Sequence, residues 1–502
     1  MNTETDASGI QSEEMIDPRC IVKFRPVEGW KGEYGFDWFR EGDYYCRHFG
    51  YTDYSTGTLI GKYVPKDPDE KEDPEDTFRQ KAKYNKNKNE GEESPSDDCP
   101  LQFQKEYVRL KIKGQDEQYF VPILSLFYNK PGKNLSNVYY NQSKVEEWGP
   151  TRVPISIIAD NYNEDVTKLE FVCDEAINIE NVYIETSNGK KSVDFFEFRG
   201  KKYVDFKQTS RKTQPMFTRW CFNLVVKSEF EFKDSDSVGD GRTIKVYAKT
   251  TDDLNTDRKG TFAGQLNIIF RKVKTIDICM VGVYIKDNNT AISVPPNAIE
   301  IKEEKNNLKK FLAQAHIIPN FISDRSLYLE KSQISRYLVE DQNNGRKMKF
   351  KSHDWRFWLD LLDFFNHELD NVLMGEFEDL IDKEGKNIKE TKEILKNSYK
   401  LYFINEKGED VAGKAHDIGG KEAFILEHSH PETATHELLH CLGFYHSFSN
   451  CSKHTFKKYK TTNIMDYTKN GDYDRFSLWK WQWEQMRNAR GLKYVSINEF
   501  KK

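Results

Sequence analysis

Five residues of fixed type and spacing, His436, Glu437, His440, Gly443 and His446, form the pattern H-E-x-x-H-x-x-G-x-x-H. On an α-helix, residues four apart lie on the same face, so His436 and His440 can each aim an imidazole nitrogen at one ion, with Glu437 beside them. Ser429 and Glu432 fit a capping box with Pro431 in the first turn, and these predict the helix start. Gly443 predicts its end, because glycine takes the left-handed conformation past the last turn without steric cost. The reversed chain then brings His446 back as a third ligand. Three protein ligands and one position open to water mark a catalytic rather than a structural zinc site. In such a site zinc lowers the pKa of its water toward about 7 and polarises a carbonyl. Glu437 would accept the water's proton and pass it to the leaving amine. The run His367-Glu368-Leu369-Asp370-Asn371 is an internal control: Asn371 replaces the second histidine and no third ligand follows, so a plain helix is expected there.

The motif resembles that of the metzincin zinc metallopeptidases, the family of astacins, serralysins and matrix metalloproteinases. Residues 463–467, Asn-Ile-Met-Asp-Tyr, are similar to the family's methionine-containing turn, with Met465 following His446 by 19 residues. The resemblance covers about 273–502 and is specific between 436 and 467. It implies an α+β catalytic domain, a Zn2+ cofactor on His436, His440 and His446, and Glu437 as general base. It also implies a catalytic role for Tyr467, which matches the tyrosine that ligates zinc or stabilises the oxyanion in astacins and serralysins. Residues 474–483 are similar to the helix closing a metzincin domain. Either 411–416 or 421–427 is a candidate edge strand for an extended protein or peptide substrate. His416, His428, His430 and His454 are read as surface or supporting residues. Pro18-Arg19-Cys20 is superficially similar to the cysteine switch of matrix metalloproteinase zymogens, but 21–24 do not continue that pattern.

The elements that must position these residues follow from hydrophobic periodicity. A strand over 276–285, a helix over 306–316, an aromatic-rich helix over 353–374 and strands over 400–404 and 423–426 predict an α+β domain. Ahead of it, 20–63 holds short aromatic strands, and 65–99 is a charged loop unable to bury apolar surface. Strand-like alternation resumes at 107–113. Seven short strands separated by turn residues predict an immunoglobulin-like β-sandwich over 151–272. The expected organisation is a disordered lead over 1–19, a β-rich domain over 20–150, the sandwich over 151–272 and the metallopeptidase domain over 273–502.

Composition narrows the function classes. A chain of 502 residues exceeds one hydrophobic core. A net charge of −5 gives no global electrostatic case for nucleic acid. No window reaches the roughly 18 consecutive apolar residues that span a bilayer, so no membrane span is expected. The polar, acidic start has no basic or apolar region of a signal peptide. Eight cysteines scattered singly predict reduced, buried thiols. Residues 24–43, the β-rich middle and 308–315 resemble a module preceding toxin domains in bacterial type VI secretion effectors. This implies synthesis in the cytoplasm, export by a signal-independent route and docking of the front on a secretion component. The expected function is therefore a zinc metalloendopeptidase that is an exported effector or toxin. Two alternatives are a zinc amidohydrolase acting on a non-protein amide such as cell-wall peptides, and a non-catalytic β-sandwich binding protein. The intact Glu437 argues against the second.

Overall fold

A computed structural model describes the chain between Met15 and Tyr494, apart from 61–102, 128–151, 206–218, 227–241, 377–394 and stretches of seven residues or fewer between elements. The charged loop 65–99 lies outside the described residues. The chain is built mostly of β-sheet with some helices, and it divides into two compact units. One comprises Met1–Lys272 and His454–Thr461, the other Val273–Lys453 and Thr462–Lys502.

The first unit carries a five-stranded and a seven-stranded sheet. The smaller runs Gly189–Ser192, Ile177–Thr186, Arg219–Val226, Arg152–Asp160, Ile21–Pro26, antiparallel throughout. In Arg152–Asp160, Val153, Ile155, Ile157 and Ala159 are all buried, the period-two pattern of a strand with one face on a core. The larger sheet ends in Thr261–Arg271, Ile123–Phe127 and Gly35–Asp37. Residues 20–150 and 151–272 are thus not separate domains. Strands from the first segment complete the edges of both sheets built by the second, which pairs edge groups that would otherwise stay open. The lead is also ordered earlier than expected. Met15–Ile16 pairs with Arg109–Ile112, Ile16 is buried, and Arg19 lies 3.1 Å from Asp253.

Residues 454–461 belong to this unit although they follow the metal motif in sequence. Thr455–Phe456 pairs with Cys46–Arg47, Phe456 packs on Phe103, and His454 Nε2 lies 2.9 Å from Glu106 Oε1. Among the described cysteines, Cys20, Cys221, Cys279 and Cys441 are buried and Cys173 half-buried, all as free thiols. Burial pushes the Cys20 thiol up to about 12. No described helix is long and apolar enough to cross a membrane.

The second unit is built on β1 (Lys274–Asp287), α1 (Ala298–Gln314), β2 (Ile317–Glu330), α2 (Trp355–Glu376), β3 (Tyr399–Ile404), β4 (Gly413–Ala415), β5 (Glu422–Leu426), α3 (Thr433–Cys441) and α4 (Lys480–Arg487). Five strands of a seven-stranded sheet run β2-β1-β3-β5-β4, parallel except for β4, and the short strands Thr290–Ala291 and Lys493–Tyr494 pair antiparallel with β1. Helices cover both faces, so a central strand must be apolar on both sides, and every residue of β3 is buried. Cys279, Val281, Val283 and Ile285 of β1 share one cluster with Leu361, Leu362, Phe365 and Leu369 of α2. Those four helical residues make one apolar stripe, while His367 is exposed, so the control run lies on the plain helix expected. Leu308, Phe311 and Leu312 of α1 are also buried, and α1 contacts β2 and α3.

Candidate metal centre

The helix α3 carries the site, and all nine of its residues are buried. It begins at Thr433 behind Glu432, whose side chain makes no capping bond as the N-cap; the expected capping box involves Ser429. Ser429 and Pro431 lie outside the described residues. Glu304 of α1 stands in: its carboxylate accepts the Ala434 N–H at 3.4 Å, placing negative charge at the positive end of the helix. The other end closes as the glycine predicts. Gly443 has φ 96°, Gly443 N–H donates to His440 O (2.9 Å), and Phe444 N–H to Leu439 O (3.0 Å). These two bonds make a Schellman closure.

That closure also orients a ligand. The Phe444 carbonyl, turned back toward the helix, accepts from His440 Nδ1 at 2.7 Å. His436 Nδ1 donates to the Ile464 carbonyl at 2.9 Å. Carbonyls only accept, so both rings carry their proton on Nδ1 and turn an Nε2 lone pair inward. His446 Nε2 lies 3.1 Å from His436 Nε2 and 3.2 Å from His440 Nε2. One proton on His446 can satisfy one of these contacts but not both. Three buried lone pairs at this separation repel unless a cation lies among them. For metal–nitrogen bonds of about 2.0–2.1 Å, tetrahedral geometry spaces ligand nitrogens about 3.4 Å apart. The donor set and spacing therefore fit, and His436, His440 and His446 can hold a metal ion. Burial, followed by His440, His446 and Arg475, holds the His436 pKa well below 6.5, which keeps it neutral and available as a ligand.

Residues 463–467 lie beside these histidines. Met465 is fully buried and its carbonyl accepts the Ser447 N–H at 2.9 Å. Asn463 Nδ2 donates to Gln482 Oε1 of α4 (2.6 Å), and Asn463 Oδ1 accepts the Met465 N–H (2.9 Å). The turn is thereby fixed to the last helix and to the first histidine at once. That helix occupies Lys480–Arg487, so of the described residues 475–483 the last four are helical. Tyr467 is half-buried, its ring centroid 4.7 Å from that of His446 and 6.0 Å from that of His436. Glu437, on α3 between the histidines, is buried.

Several site residues carry no sequence motif. Phe448 stacks on His446, with centroids 4.9 Å apart and planes 6° from parallel. Arg475 donates to the Asp466 carbonyl (3.1 Å) and lies 3.6 Å from Glu432, linking the turn to the start of α3. Gln485 of α4 donates to the Gly443 carbonyl (2.8 Å). Of the neighbouring histidines, His416 lies between Asp363 and Asp417, His430 is exposed near Glu432, and His454 belongs to the first unit. His428 lies outside the described residues. Cys441 follows His440 directly, but burial raises its thiol well above 9.0, and its Sγ donates to Glu422 O.

No model of a known protein family matches the chain, and no curated protein matches it. Among solved structures the chain is similar to the major pilin subunit of Bacillus cereus, at 13% identity and a TM-score of 0.18, over 28% of this chain and 40% of the pilin. It is also similar to the group B streptococcus pilus 2b backbone protein, at 12% identity and a TM-score of 0.17, over 29% of this chain and 59% of that one. The chain spans less than two thirds of either pilin, and likenesses this slight carry no argument about function.

Proposed function

We propose that the chain is a zinc-dependent metalloendopeptidase of metzincin type. The observation that carries this is the convergence of three imidazole Nε2 atoms, those of His436 and His440 on a buried helix that also bears Glu437 and that of His446 just beyond it, 3.1 and 3.2 Å from the other two. Imidazole ligands suit zinc, and a three-histidine set leaves a fourth position for water and substrate. When bound there, zinc supplies Lewis acidity toward a scissile carbonyl and acidifies water.

The chain's own residues supply the rest. Glu437 is the one carboxylate in the motif and is held next to the ligands by the helix repeat, so it takes and returns the proton. Tyr467 stands over His446 with a phenol able to donate to a developing oxyanion. β4 offers the substrate ladder. Leu426 N–H donates to Ala412 O and His416 N–H to Glu422 O, both at 2.8 Å. In an antiparallel pair alternate residues face the partner, so Gly413 and Ala415 turn their N–H and C=O groups to the outer edge. An extended peptide can add there as a further strand, which favours peptide over non-peptide amides.

The test is metal content and casein cleavage by wild type and Glu437→Gln. One zinc per chain with cleavage confined to wild type supports the reading; wild type that binds no metal removes it. Export as an effector is part of the same proposal and rests on the sequence likeness of the front of the chain. Deletion of residues 1–270 in the producing cell tests it, and unchanged secretion would set it aside.

A further inference from the structure

The edge strand opens on Gly413, and its φ does not lie in the left-handed region that would by itself favour glycine. Space is the reason for glycine here. A Cβ at this position would lie 2.8 Å from Thr433 Cγ2, 3.0 Å from Glu437 Cγ and 3.0 Å from the Phe424 carbonyl oxygen. Thr433 and Glu437 are four residues apart on α3, so one helix face presses both against the strand. The three neighbours do not yield equally. The Phe424 carbonyl is backbone of β5, and β4 is held to β5 by the ladder. Thr433 is β-branched, stiff at χ1 and buried. Glu437 has the longest and most flexible side chain of the three, so a methyl group at 413 acts chiefly on it.

We infer that Gly413 is a positioning residue: its missing side chain is the channel along which Glu437 runs from the helix toward the metal ligands. It thereby sets the carboxylate's place relative to the histidines and to the outer edge of β4, where Gly413 turns its own backbone groups. The inference rests on the metallopeptidase reading and adds a residue that the H-E-x-x-H motif does not contain.

The test uses the full zinc-loaded chain, wild type and Gly413→Ala, on a fluorogenic peptide built around a bond that wild type cleaves in casein. Displacing a catalytic group by about 1 Å can cost about 10²-fold. The expected result is a kcat lowered about 10- to 100-fold with KM within about twofold of wild type, since the outer edge of the strand keeps its N–H and C=O groups. Zinc stoichiometry should stay that of wild type, and melting should stay cooperative at a modestly lower midpoint, since the added methyl overpacks the site. Adding Thr433→Ala removes the nearest of the three contacts, gives the new methyl room away from Glu437, and should recover much of the lost kcat. Wild-type kcat in Gly413→Ala would overturn the inference alone. So would a loss of zinc or of cooperative melting that Thr433→Ala fails to relieve, since that is general structural damage. Wild type that cleaves nothing would overturn the peptidase reading and this inference with it.

Discussion

At the scale of single residues, tautomer and burial govern the site. His436 and His440 are held as Nδ1–H tautomers by carbonyls that belong to the helix closure and to the 463–467 turn. Burial, followed by His440, His446 and Arg475, lowers the His436 pKa well below 6.5 and keeps the ring neutral, against the Ile464 hydrogen bond, which favours the charged form. When the folded-state pKa lies below the unfolded one, the unfolded chain takes up the proton first. Stability of the chelated protein should accordingly fall as pH drops below about 6.5, and His436→Ala should flatten that slope in melts from pH 8 to 5. A slope unchanged by the substitution would place the titrating group elsewhere. Tyr467 offers a second test. Tyr467→Phe keeps the ring on His446 and removes the donor, so kcat should fall about 10²-fold with zinc content unchanged. Loss of zinc instead would mean that the phenol serves the metal.

At the scale of elements, two glycines do different work. Gly443 has φ 96°, and a Cβ there would meet only Gln485 Nε2, at 3.8 Å, so glycine is needed for conformation. Gly443→Ala should cost about 1–2 kcal/mol in denaturant unfolding, the penalty of a left-handed alanine. An unchanged midpoint would show that the closure of α3 is not under this constraint. Gly413 is the converse, an ordinary backbone with no room. The first was legible in the sequence because helix closure is local and the residue sits at a fixed offset from His440. The second was not, because its crowding comes from β5 and α3 meeting across the sheet. The same distinction explains the start of α3. A local capping box was expected, whereas the charge at the helix start comes from Glu304, 130 residues earlier in the chain. Several strands and helices of the second unit were legible from periodicity, with ends off by several residues, as at α1, which begins at Ala298 rather than 306; β2, Ile317–Glu330, was not expected at all.

At the scale of the whole molecule, chain connectivity was the least legible feature. The front of the chain was expected as a β-rich domain and a separate sandwich. Which strand completes which sheet edge depends on pairings more than 100 residues apart, such as Ile21–Pro26 with Arg152–Asp160, and no local pattern encodes them. Residues 454–461 show the same limit. They lie in sequence between His446 and Met465, yet they fold with the first unit, through Glu106, Phe103 and Cys46–Arg47. A fragment of residues 273–502 would leave Phe456 and His454 without those partners. It should melt at lower temperature and retain less zinc than the full chain. Equal melting and equal zinc would show that the segment contributes nothing to the centre.

In the proposed function, His436, His440 and His446 hold a zinc ion beside a general base, Glu437, and this centre cuts peptide bonds. The most direct measurement is zinc stoichiometry together with casein cleavage for wild type, His440→Ala and Glu437→Gln at neutral pH, with and without a chelator. The expected result is one zinc per chain in wild type and Glu437→Gln, and none in His440→Ala. Cleavage is expected in wild type alone, is lost on chelation, and falls at least 10²-fold in Glu437→Gln. Wild type with no bound metal, or cleavage that survives Glu437→Gln at the wild-type rate, would contradict it.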